Sequence, residues 1–100
     1  MTNTSDSKKA AEARINDLIA IVRAQPDGDA KMALLEECEA LGRAVAAFHL
    51  EGIRFRAFNV GRLLQKGGLP LPPEAPEAFA DMRRHLEAAG FHTRSHQAPV

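Results

Sequence analysis

From residue 29 to residue 66 the chain reads DAKMALLEECEALGRAVAAFHLEGIRFRAFNVGRLLQK, with no proline, and the Gly67-Gly68 pair closes the run. As one helix rising about 1.5 Å per residue, this run would be on the order of 55 Å long, roughly twice a long globular helix. Such a helix needs neighbours along its whole length, and the rest of the chain must supply them.

The composition limits what those neighbours are. Aromatic residues make up 5% of the 100 residues, Trp and Tyr are absent, and Ala and Leu are abundant, so little in the chain suits a pleated sheet. The fold class is all-α, in a single domain over residues 1–100, a size at which oligomerisation often completes a small core. Formal net charge is zero, so no global field draws in nucleic acid or an anionic membrane. Cys38 stands alone, which excludes an internal disulfide and reads as a small buried hydrophobe in a reducing compartment. No secretory apolar segment opens MTNTSDSKK, and no apolar run approaches the roughly 20 residues that span a bilayer, so the expectation is a cytoplasmic protein with no membrane role.

Ahead of the long run, Ala11, Ile15, Leu18 and Val22 recur at spacings of four and three, predicting an amphipathic helix over about 6–24. Ser5, Asp6 or Ser7 can cap it, and Pro26 ends it. Pro26-Asp27-Gly28-Asp29 is a turn in which Asp27 or Asp29 can cap the next helix, so the first two helices form an antiparallel hairpin. After Gly68, LPLPPEAP imposes an extended path that Leu69 and Leu71 can pin down. A shorter third helix follows over about 74–89, with Phe79, Met82, Leu86 and Ala89 on its apolar side. Gly90-Phe91 reads as a Schellman stop, and residues 1–5 and 93–100 read as flexible ends.

Continued at about 100° per residue, the central helix changes character along its length. Leu34, Cys38, Leu41, Val45 and Phe48 make one stripe, which runs on through Phe55 and Leu63. In the second half Leu50, Ile53, Ala57, Val60 and Leu64 add another stripe, with Gly61 one turn from Ala57. One third helix cannot bury two stripes, so Leu50, Ile53, Ala57, Val60, Gly61 and Leu64 are the expected seam of a homodimer. Gly42, Gly52 and Gly61 each cost about 1 kcal/mol in a helix interior, and Gly52 is the favoured place for a kink. Arg54, Phe58 and Arg62 lie on the remaining polar face, where a Phe framed by arginines is a candidate anchor for an unidentified protein partner.

His49, Arg56 and Asn59 project from the apolar side and are expected to be buried polar groups, with Arg56 paired to a carboxylate of the third helix or another chain, or lying at the boundary with its head in water. Glu36, Glu37 and Glu39 read as a solvated face. In histidine phosphotransfer helices a glycine follows the reactive His by four positions with a lysine before it. Here Gly52 follows His49 by three with Glu51 before it, so no residue carries over. His85, His92 and His96 are candidate metal ligands, the last two at ligand spacing, but His92 and His96 follow the predicted helix stop. Arg54, Arg56, Arg62 and Lys66 interleave with Phe55 and Phe58, a pattern that can serve nucleic acid, yet Arg56 points away and Glu51 sits among them. No catalytic residue, metal ligand or cofactor site is assigned. The chain reads as a small non-catalytic interaction or regulatory protein working as a homodimer. The alternatives are a nucleic-acid-binding regulator using residues 54–66 and a metal- or phosphate-binding module centred on His49.

Overall fold

The computed structural model describes residues 4–91. They form four helices, α1 (Thr4–Arg23), α2 (Asp29–Ala46), α3 (Leu50–Lys66) and α4 (Glu74–Ala88), with no strand among the described residues. The all-α expectation holds, but the single central helix does not. Residues 29–66 are two helices that fold back on each other.

The break lies at residues 47–49, upstream of Gly52. Phe48 takes φ 56°, the left-handed region that glycine usually occupies. The amide of Phe48 donates to the carbonyl of Val45 and that of His49 to the carbonyl of Ala44, both at 3.0 Å, which is the Schellman pattern with a phenylalanine at its left-handed position. His49 then opens α3: its Nδ1 accepts from the amide of Gly52 at 3.1 Å, satisfying one of the helix's free N–H groups. That geometry also accounts for the glycine. A methyl on Gly52 would lie 2.7 Å from His49 Nδ1 and 3.3 Å from the Ala44 methyl. Gly52 therefore makes room for a cap and for the neighbouring helix.

The reversal sets α2 and α3 antiparallel. Glu37 of α2 meets Arg56 and Asn59 of α3, and Gly68, just past α3, comes against Ala30 at the start of α2. On its other side α2 packs along α1, where Arg23 pairs with Glu39 at 2.7 Å. α1 packs most extensively with α4, with Arg14 bound to Asp81 at 3.0 Å. Successive helices thus run in alternating directions around one core. Ala11, Ile15, Leu18 and Val22 of α1, Leu34, Cys38, Leu41 and Val45 of α2, Ile53, Ala57 and Val60 of α3 and Ala75, Ala78, Phe79, Met82 and Leu86 of α4 join in a single buried cluster. Leu69 and Leu71 pack half-buried against this cluster, as the alternation with proline suggests.

Several local expectations need correction. α1 starts at Thr4, so Ser7 lies within its first turns rather than capping it, and the Ser7 hydroxyl is buried without a hydrogen-bond partner among the described residues. Neither Asp27 nor Asp29 caps α2. Gly28 holds the N-cap position with extended backbone, and Asp27 instead accepts from Lys31 at 3.0 Å. The Schellman end at Gly90 is present, with the Phe91 amide donating to the carbonyl of Leu86 and the ring of Phe91 stacked 5.0 Å from that of Phe48. Residues 1–3 and 92–100 lie outside the described residues, and with them most of both ends expected to be flexible.

The three helical glycines should therefore respond differently to alanine. A methyl on Gly42 or Gly61 meets only ordinary contacts, at 4.0 Å and 3.4 Å, so Gly42→Ala and Gly61→Ala should each stabilise by about 0.5–1 kcal/mol through helix propensity. Gly52→Ala should destabilise by about 1 kcal/mol as the His49 cap is displaced. Urea melts of the three variants check this; a gain from Gly52→Ala equal to the other two would show that the cap does not hold the break.

Candidate interaction surface

Five phenylalanines are available to this chain, and just one of them, Phe79, is in the core. Phe55 and Phe58 are 57% and 47% exposed, one turn apart on α3. With Glu51, Arg62, Gln65 and Lys66, all exposed, they occupy one side of that helix. The break at Phe48 produces this arrangement. Had one helix continued, the 100° rotation would carry the α2 stripe onto Phe55; the reversal resets the phase, and Ile53, Ala57 and Val60 turn inward instead. Phe55 is thus a surface residue, contrary to the stripe drawn through it.

A groove of about 510 Å³ adjoins this face between α3 and α4. These two helices are the least closely packed sequential neighbours, and Phe79 spans the space, its ring 3.4 Å from where a methyl on Gly61 would sit. Ala57, Gly61, Leu64 and Phe79 form the apolar floor, while Phe58, Arg62 and Arg83 line the sides. Among the described residues no carboxylate lines the groove, and the Arg83 guanidinium rests 5.6 Å from the centre of the Phe79 ring. An apolar floor with cationic walls suits an occupant that combines apolar and acidic groups.

The residues expected at a homodimer seam are divided by the fold. Ile53, Ala57 and Val60 are buried by the chain's own helices, and Gly61 and Leu64 are half-buried at the groove, which leaves Leu50 exposed. The second stripe is covered intramolecularly because the reversed α2, together with α4, supplies the missing neighbours. Arg54, Phe58 and Arg62, the expected partner-binding residues, are all exposed.

Of the expected buried polar groups, His49 is exposed and serves as the α3 cap. Arg56 and Asn59 are half-buried and meet at Glu37. One Arg56 nitrogen donates to both Glu37 oxygens at 3.0 and 3.1 Å, and the Asn59 amide donates to Oε1 at 3.1 Å. The partner of Arg56 therefore belongs to α2, and Glu37 is not part of a wet face. Its role follows from the hairpin, which a straight 29–66 helix does not bring about. The same clamp takes Arg56 out of any cationic strip for nucleic acid.

Cys38 is fully buried, and burial, aided by Glu37 and Glu39, pushes its thiol up to about 12. It is a core residue with no thiolate for chemistry near neutral pH. Among the described residues no group of three His, Cys, Asp or Glu side chains is placed to hold a metal, and His92 and His96 lie outside them. No described helix is long and apolar enough to cross a membrane. No protein-family model, curated protein or solved structure matches the chain.

Two measurements check this description. In a double-mutant cycle, Glu37→Ala and Arg56→Ala should each cost about 1 kcal/mol and couple by about 0.5–1 kcal/mol, the modest size reflecting the partial exposure of both groups. Additive effects would mean that the α2–α3 clamp contributes nothing. For Cys38, a thiol reagent at pH 8 should modify the native protein far more slowly than the unfolded chain. Because folding raises this pKa, the associated stability is intact below the ordinary thiol value of 9.0 and is lost as pH climbs towards 12, a loss that Cys38→Ala should abolish.

Proposed function

We propose that this chain is a small non-catalytic interaction protein, and that it works by docking another polypeptide on the outer face of α3. The observation that carries the reading is the placement of Phe55 and Phe58, two large aromatic side chains left on one helical face of a chain with few aromatics. Each ring is about half exposed, so covering the remainder would contribute about 1 kcal/mol per ring, which a partner would recover. Arg62 and the adjoining groove add specificity for acidic groups. Site-specific photocrosslinking tests the proposal. A benzoylphenylalanine at position 58 in the full chain should give adducts with another polypeptide, of whatever identity, while the same probe at Glu36 on the exposed side of α2 should not. Phe58→Gln should prevent the same adducts when the probe sits at Phe55. Equal labelling from positions 58 and 36, or none from 58, would overturn the reading.

A further inference from the structure

The exposed residues of α3 are spaced in a way that a docking face for an unrelated protein does not require. Glu51, Phe55, Phe58, Arg62 and Gln65 follow one another at intervals of four, three, four and three, the spacing of a helix-pairing seam, and all are exposed. The order along the seam is acid, aromatic, aromatic, cation, amide, with Lys66 beside the last. Turned end over end about Phe58, this series complements itself.

Resting on the reading that α3 is the docking face, we infer that its occupant is a second copy of this chain, paired antiparallel through a two-fold axis near Phe58. In that register residues whose numbers sum to about 116 or 117 face each other. Glu51 of each copy meets Gln65 and Lys66 of the other, Phe55 lies under Arg62 of the other, and the two Phe58 rings meet near the axis. Every element of the pairing occurs twice, as a closed two-fold interface demands. A parallel arrangement would instead set Glu51 against Glu51 and Arg62 against Arg62. The antiparallel pairing turns the acidic start of α3 and its basic end into two cross-chain ion pairs and offers two cation–π contacts. One helix face per copy buries less than a standard interface, so the association is expected in the micromolar range.

Sedimentation velocity on the full chain, from low micromolar to near-millimolar concentration, gives the test. The wild type should pass from monomer to dimer and go no further. Glu51→Lys places two lysines opposite each other at both ends of the seam, and Lys66→Glu places two glutamates there, so each variant alone should self-associate roughly tenfold more weakly. An equimolar mixture of the two should recover wild-type dimerisation, because every like-charged encounter then becomes an opposite-charged one. The double variant E51K/K66E should recover it as well. Circular dichroism melts verify that the variants fold; Phe58→Gln, which touches neither helix end, gives a second, charge-independent loss of dimer.

A wild type that stays monomeric throughout the range, or a mixture no stronger than its components, overturns the inference. The two proposals fail separately. Crosslinks from position 58 to a different protein, with a monomeric wild type, would reject the second copy and retain the docking face. Absence of any crosslink from position 58 would reject both.

Discussion

A hydrogen bond of 3.1 Å, from the Gly52 amide to Nδ1 of His49, starts α3 in a new direction. Everything distal to it depends on that restart. Before it, the α2 helix ends through a Schellman turn whose left-handed residue is Phe48, a conformation that costs a non-glycine residue about 1 kcal/mol or more. That cost is offset by what the turn makes possible. The Phe48 ring stacks on Phe91 at the end of α4 and lies beneath the Lys8 ammonium at 5.1 Å, so the break also ties both ends of the chain's helical order together. The reversal lets Ile53, Ala57 and Val60 enter the core, and it brings Arg56 and Asn59 to Glu37.

Periodicity alone located most of the helical material. The stripes Ala11–Ile15–Leu18–Val22 and Leu34–Cys38–Leu41–Val45 are buried, the Pro26 turn separates α1 from α2, and Gly90-Phe91 ends α4 as its residue types indicate. The break at Phe48 escaped because neither of its residues carries the usual signal. A left-handed C-terminal position is read from Gly or Asn, and a helix N-cap from Ser, Thr, Asp or Asn; here Phe and His take those places. Gly52 was the visible trace. Its significance lay three residues upstream, in the imidazole that needs the space.

The break at Phe48 redistributes the residues of α3 between core and surface. With a straight helix, Phe55 belongs to the core stripe and Ile53, Ala57 and Val60 need a second chain; with the reversal these assignments exchange. Phe58, Arg54 and Arg62 are exposed with or without the reversal, because each lies away from both apolar stripes. The clamp at Glu37 was beyond reach, since a contact between residues 37 and 56 requires knowing that the chain turns back between them. Among the described residues the fold leaves Phe55 and Phe58 exposed beside Arg62 on one side of α3, next to a groove lined by Ala57, Gly61, Leu64 and Phe79.

The reversal itself is open to direct measurement by electron–electron resonance between spin labels on M32C of α2 and Q65C of α3, both exposed positions, in a C38A background. Labelled chains diluted in excess unlabelled protein report the distance within one chain. Thirty-three residues separate the sites, so a continuous helix would hold the labels roughly 50 Å apart. The hairpin closed by Phe48 and His49 brings the start of α2 beside the end of α3, and a single distribution at less than half that distance is the predicted result. A dominant population near the long distance would contradict the account.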